Sequence, residues 1–186
     1  MEALSDKKWF EPRRWLDRLL GRRERPSGLF RVESYLRDHG IDYRVHPHPD
    51  AFGASATAES LHLTGKAFAK VVIVRADRRY VMAVLPSELQ IHFRRLARLL
   101  KVKHVSLATE LELKALFPDC EIGAMLPFGN LYGLPVYVDV SLNQEPLLFF
   151  AAGTRRAAIE MRYRDFNRMV SPQVGRFAAV PLKRAA

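Results

Sequence analysis

Residues 70–85, KVVIVRADRRYVMAVL, hold the clearest structural signal in the chain. Lys70 to Ala76 is β-branched and almost wholly apolar, as a central strand covered on both faces is. Asp77-Arg78 is a two-residue turn signal, and Arg79 to Leu85 returns as the antiparallel partner. Working outward, Leu29 begins a helix carrying apolar Phe30, Val32, Tyr35 and Leu36, which stops at Gly40. Residues 41–46 alternate like a half-buried strand, broken by Pro47 and Pro49. The alanine-rich run 55–63 reads as a short helix closed by Gly65. Downstream, 91–100 is helical, with Arg94, Arg98 and Lys101 on one face. Residues 105–108 make a short strand. Thr109-Glu-Leu-Glu112 is a capping box for a helix ending at Phe117-Pro118. Residues 134–140, 147–152 and 157–163 are strands, and 165–170 is a last helical turn. Strand pairs mixed with helices in this order predict an α+β domain around a central mixed sheet.

The 186 residues, 48% hydrophobic and 27% charged, fit one domain with a sizeable core. A single cysteine, Cys120, excludes an internal disulfide. No apolar run approaches the ~20 residues of a spanning helix, so stable membrane insertion is not expected. The N-terminus lacks the uninterrupted apolar core and cleavage site of a secretory signal, which makes a cytoplasmic location the expectation. Thirty Lys+Arg against twenty Asp+Glu give a net charge of +10, which attracts polyanions such as nucleic acid or an anionic membrane face. The excess is concentrated in 92–104 and after Gly153. Residues 1–27 form a separate basic amphipathic extension, with Trp9, Phe10, Trp15 and Leu16 interleaved with arginines; 28–186 are the domain. That extension suits a membrane surface, a partner, RNA, or docking on its own domain.

Common catalytic constellations are missing. His46-Pro-His48 gives only two nearby metal ligands, with no CxxC or HExxH beside it, so neither a metal nor another cofactor is expected. There is no GxSxG elbow or Walker loop. Cys120 pairs with no recognisable base in the sequence. Two features remain. Lys70 opens an apolar strand, where its ammonium has to meet a cleft or an anion, or else snorkel at the sheet edge. The other is "CEIGAMLPFGNLYG", residues 120–133, rich in glycine yet mostly apolar. In it, Gly123 and Pro127 frame a stiff turn whose amides suit a carbonyl or oxyanion, or simply join two strands.

The collinear order "YRVHPHPDAF", "KAFAKVVIV", "VMAVLPSELQI", "GAMLPFGN", "VYVDVSL", "AAGTRRAAIEMRYRDF" resembles the YbaK family. These are free-standing aminoacyl-tRNA deacylases related to the editing domain of bacterial prolyl-tRNA synthetases. The resemblance covers about residues 29–178. It implies a mixed, barrel-like sheet flanked by helices, and hydrolysis of the ester joining a wrong, small amino acid to tRNA. By position it places Lys70 on the strand lining the pocket, as the catalytic cation. It makes Gly123, Ala124, Met125, Leu126, Pro127, Phe128 and Gly129 the GxxxP loop that holds the substrate carbonyl through backbone amides. Asp139 matches the acidic position of the following strand, and Gly153 closes a small-residue motif beside the pocket. Relatives often carry serine at the position of Ala151, so a serine-assisted route is not inherited here. On this reading the loop is apolar because the pocket selects small side chains by shape. Arg94, Arg98 and Lys101 would grip the tRNA acceptor end. The partners implied are tRNA and, through residues 1–27, a synthetase, with no role for DNA. The alternative is a non-catalytic module that binds tRNA or a synthetase through the same fold.

Overall fold

The computed structural model describes residues 27–181, so the expected helix with Trp9 and Trp15 lies outside the described residues. Helix α1 (Gly28–Asp38) starts where the Ser27 hydroxyl accepts the Phe30 amide, and it buries Val32 and Leu36. Strand β1 (Tyr43–Pro47) follows, then α2 (Ala54–Ser60), β2 (Phe68–Ala76) and β3 (Arg79–Pro86). The two-residue turn is as read: Ala76 pairs with Arg79, and Asp77 takes φ +51° to turn the chain. Next come β4 (Gln90–Ile91), α3 (Phe93–Leu100), β5 (Val105–Leu107) and α4 (Glu110–Leu116). The Thr109–Glu112 capping box that opens α4 is formed in both directions. The chain then runs through β6 (Val136–Asp139), β7 (Leu147–Ala151), β8 (Ala157–Arg162), α5 (Tyr163–Val170), β9 (Gln173–Gly175) and β10 (Ala178–Ala179), with short 3₁₀ turns on either side of β6.

Eight strands make one mixed sheet in the order β1-β8-β7-β2-β3-β6-β9, with β5 also on β2. The β2–β3 hairpin is antiparallel, whereas β7–β2, β3–β6 and β6–β9 are parallel. One edge of β2 is shared: Phe68 and Ala69 pair with β7, and Val74 to Ala76 pair with β5. The hairpin is covered on both faces along most of its length, which is why residues 71–74 and 81–85 are continuously apolar. Ala69, Ile73, Met82 and Val84 enter a core with Leu36, Leu126, Phe128, Phe150 and Phe166. Val74, Ala76, Val81, Ala83 and Leu85 face a second core with Leu96, Leu100 and Phe177. No helix among the described residues is long and apolar enough to cross a membrane.

Several boundaries differ from the expectation for physical reasons. Gln90 and Ile91 pair with β10 instead of opening α3, which begins at Phe93. Helix α2 ends at Ser60, where His62 takes φ +54°, and not at Gly65. Gly65 instead permits close approach: a Cβ there would stand 2.8 Å from Glu88 Cβ, and its carbonyl accepts the Ser87 amide. Tyr163 belongs to α5, not to the preceding strand. Strands β9 and β10 carry too few residues to show a pattern.

Asp139 ties the end of the chain to the sheet. One of its carboxylate oxygens accepts the amide and hydroxyl of Ser141, and the other accepts the Phe177 and Ala178 amides, both at 2.7 Å. Burial alone would push this carboxyl up, but these hydrogen bonds prevail and hold it below the usual aspartate range. Asp139→Ala is expected to lower unfolding stability by ~2 kcal/mol or more, because it orphans two buried amides. In the wild-type chain, the part of stability linked to this group is complete above the unfolded-state value near ~3.9 and is lost as pH falls through the depressed folded value. Urea melts of both proteins at neutral and acid pH measure this: the gap between them should narrow in acid.

Candidate active site

The segment 119–129 is fixed from behind by its side chains. Phe128 is fully buried, with its ring edge-on to Tyr35, Phe150 and Phe166 at centroid distances of 6.0, 5.6 and 5.7 Å. Leu126 is equally buried, and Ala124, Met125 and Pro127 are also inside. The apolar character of this loop therefore comes from the core it fills, and not from side chains offered to a small ligand as the sequence reading had it. What the loop can present is backbone. The Ala124 amide bonds Glu121 O, and the Leu126 amide faces the Cys120 sulfur. Among the described residues, the amides of Gly123, Met125 and Phe128 have no acceptor. Such N–H groups are obligate donors; Phe128 has no exposed surface, so those of Gly123 and Met125 are the ones that suit an incoming carbonyl or oxyanion. Gly123 takes φ +87°, the left-handed backbone that glycine adopts most easily. Gly129 serves packing: a Cβ there would lie 2.6 Å from Val136 Cγ2.

Two neighbouring loops brace this one. Gly153 donates its amide to Ala124 O and accepts the Glu121 amide through its carbonyl. Gly153 and Gly28 stand back to back, since a Cβ on Gly153 would fall 2.8 Å from Gly28 Cα. Arg31 Nε pairs with Asp119 Oδ2 at 2.8 Å, and the Tyr132 hydroxyl donates to the same oxygen. Cys120 Sγ lies 3.2 Å from that hydroxyl, and burial pushes its thiol up to about 11. The sulfur thus stays protonated at neutral pH, the wrong state for a nucleophile. On the outer side, Glu121 Oε2 accepts the Arg155 amide at 2.7 Å, and Arg155 also pairs with Asp50 at 3.2 Å. The ring of Phe52 lies against Gly123.

Lys70 is half-buried, and its ammonium is not left in bulk solvent. It donates to Ser87 O at 3.2 Å and to Leu89 O. An ammonium has three donors, so one remains without a partner among the described residues. Burial lowers its pKa below the ordinary lysine value. No hydrogen bond joins Lys70 to the 123–129 loop, and by strand alternation it projects from the face of β2 opposite Ala69 and Ile73. A short bridge links the two. Ser55 Oγ donates to the same Ser87 carbonyl at 3.1 Å, and Phe52 and Gly53, just before it in the chain, touch Gly123.

Gly153 bonds the loop directly, and the remaining expected residues make no hydrogen bond to it or to Lys70. Asp139, with both oxygens engaged, borders a cavity of about 230 Å³ together with Leu89, Arg95 and Arg176. Arg94 and Arg98 are exposed on α3, whereas Lys101, also exposed, lies just past the helix as its left-handed cap at φ +55°, so the expected helical spacing does not reach it. His46 bonds Glu160 at 2.7 Å and His48 bonds the Pro49 carbonyl, so they do not converge. Sequence reasoning missed Phe52, Ser87, Asp119, Glu121 and Arg155. All but Asp119 fall inside stretches quoted above, but no spacing marked them individually, and only folding brings them together.

The chain matches the family described as aminoacyl-tRNA editing domain over residues 48–169, about two thirds of its length. Comparison with curated proteins gives no match. A solved structure described as a candidate trans-editing enzyme for prolyl-tRNA synthetase superposes with a TM-score of 0.73 at 20% identity, covering 84% of this chain and 99% of that one. The hypothetical protein APE2540 superposes at 0.72 with 18% identity, covering 80% and 99%. At these identities the superpositions establish the fold.

The close approach of Gly28 and Gly153 yields a test of the brace. Gly153→Ala adds a methyl against backbone and forces alanine to φ +80°. It should destabilise the domain by roughly 2–4 kcal/mol. Gly133→Ala, at φ +67° but with nothing within 4 Å, supplies the control and should lose about 1–2 kcal/mol. Equal losses in thermal melts would show that the two glycines are not tightly packed.

Proposed function

The chain belongs to the aminoacyl-tRNA editing domain family, and from that premise we propose that it acts in trans as a deacylase of mischarged tRNA. The substrate is the ester of a small amino acid, such as alanine, cysteine, serine or threonine, on the terminal ribose. The observation that carries this reading is the pair of acceptor-less amides at Gly123 and Met125, on a loop whose side chains are locked in the core. The ester carbonyl points at these amides, which stabilise the oxyanion as the carbonyl carbon becomes tetrahedral. The nucleophile is water, and the substrate's own adjacent ribose hydroxyl serves only to orient it and relay its proton, because direct attack by that hydroxyl would move the acyl group along the ribose without releasing it. The C–O bond to the esterified ribose oxygen breaks, that oxygen leaves with the proton taken from water, and the free amino acid departs. Lys70 supplies positive charge, through the N–H not spent on Ser87 and Leu89, to the terminal phosphate or the developing oxyanion. Arg94, Arg98 and Lys101 hold the acceptor stem by its phosphates.

A second reading rests on Ala151 and Ala152, buried and without a hydroxyl: a module that binds charged tRNA, or a synthetase, without turnover. Incubation with a panel of mischarged tRNAs separates the two. Release of amino acid from one or two species supports the deacylase, and binding without release supports the module.

Two variants test the assigned roles. Lys70→Ala should slow single-turnover deacylation by about 10²–10³-fold, the range for losing one oxyanion donor. Circular dichroism and melting run alongside, because Lys70 also holds two carbonyls. Wild-type rates in a folded Lys70→Ala protein would remove the lysine from the mechanism. Replacing Arg94, Arg98 and Lys101 together by alanine should weaken tRNA binding and flatten its salt dependence. The log–log slope should fall by about 0.7–0.9 for each phosphate that is no longer neutralised. An unchanged slope would place the tRNA elsewhere.

A further inference from the structure

The chain enters the domain at the flank of the candidate loop. The Gly28 amide donates to Asp119 O at 2.7 Å, and a Cβ on Gly28 would stand 2.7 Å from Cys120 Sγ and 3.1 Å from Gly153 Cα. One residue earlier, Ser27 is exposed and caps α1. Just ahead of that cap the sequence holds Arg22, Arg23 and Arg25, with Glu24 the sole acid among them. Chain length alone bounds where these cations stand. Three peptide links keep the Arg25 Cα within about 11 Å of the Gly28 Cα, and six keep that of Arg22 within about 22 Å, in any conformation. The arginines already built against the loop are committed to acids. Arg31 pairs with Asp119 at 2.8 Å, Arg155 with Asp50 at 3.2 Å and Glu121 at 3.6 Å, and Arg156 shares Asp50 at 3.6 Å. Lys70 spends two donors on carbonyls from the other face of β2, and α3 packs on the opposite core. A polyanion reaching the loop from this flank therefore meets charge that is already balanced, and the run 22–25 supplies further positive charge there.

We propose that Arg22, Arg23 and Arg25 form a phosphate clamp for the RNA whose 3′ ester the loop receives, gripping its backbone within a few nucleotides of that ester. The identity of the ligand rests on the deacylase reading. The family match begins at residue 48, so the clamp belongs to this chain's own extension and not to the matched domain. A guanidinium takes a phosphate through parallel N–H bonds and keeps its charge at every working pH. Contacts of this kind ignore base sequence and fix the position and direction of the strand. Because the clamp is tied through Gly28 to the brace of the loop, a strand held by it delivers its end to Gly123 and Met125. Binding and chemistry are thereby divided: residues 22–25 hold the RNA and touch no reacting atom, while the amides act on the carbonyl.

The test uses the full chain and an acceptor-stem RNA carrying a non-hydrolysable 3′-aminoacyl amide. Replacing Arg22, Arg23 and Arg25 together by glutamine should lower the slope of log affinity against log salt by about 2 to 3, since each phosphate no longer neutralised removes about 0.7–0.9. Replacing the same three by lysine should keep the slope, because the charge is retained. A 3′-aminoacylamino-adenosine, which has no stem phosphates, should bind wild type and both variants alike, and this shows that the site itself is intact in each. A single-stranded pentanucleotide with the same 3′ amide should retain most of the slope difference between wild type and the glutamine variant. An unchanged slope in the glutamine variant would overturn the clamp and leave the extension to a protein partner. A difference seen only with the full stem would overturn the placement beside the ester. A clamp without release of amino acid from any mischarged tRNA would stand and would remove the deacylase reading, whereas release with an unchanged slope would do the reverse.

Discussion

The burial of Phe128 governs the rest of the site. Three aromatic neighbours hold its ring, and Leu126 two residues earlier is sealed in the same core. With its side chains committed inward, the segment from Gly123 to Phe128 has only peptide groups left to offer. A backbone anchored in this way costs little reorganisation when charge develops on a bound carbonyl, and that is the condition under which N–H donors contribute most to catalysis. The same anchoring accounts for the surrounding investment in glycines and ion pairs. Gly28 against Gly153, Arg31 on Asp119, and Glu121 under Arg155 all hold the loop's flanks without entering its face.

Lys70 projects from the opposite face of β2 and is linked to that loop only through intervening residues. Its ammonium is clamped by the Ser87 and Leu89 carbonyls, and Ser55, Gly53 and Phe52 carry the connection to Gly123. A lysine positioned by two carbonyls keeps its charge at a fixed point, with one donor still to give. The exposed arginines of α3, Arg94 and Arg98, form a separate basic surface, and the helix packs through Leu96 and Leu100 on the core opposite the one that holds the loop.

Much of the fold was legible in the sequence because its strongest signals are local. The β2–β3 hairpin announces itself by an apolar run that only double coverage permits, and the Thr109–Glu112 box needs nothing beyond four residues. What stayed hidden depends on residues far apart in the chain. β9 and β10 are three and two residues long and exist only through β6 and β4. Gly65 looked like a helix stop, but its reason is Glu88 and Ser87, more than twenty residues away. The loop was legible as a backbone device, yet its apolar residues were misassigned, because the sequence cannot say which side of a turn faces the core. Phe52 and Arg155 each fall in a stretch that carries the family resemblance, but their pairing was hidden, since an aromatic and an arginine a hundred residues apart meet only in the folded chain.

The central claim is that ligand recognition here is made by peptide N–H groups of a core-anchored loop. Amide-resolved NMR of the labelled protein, titrated with a non-hydrolysable 3′-aminoacylamino-adenosine, addresses it directly. The account predicts that the Gly123 and Met125 amide protons move downfield together, while the Ala124 amide, already bonded to Glu121, stays nearly still. Saturable binding that leaves those two resonances in place, with shifts confined to other surfaces, would contradict it.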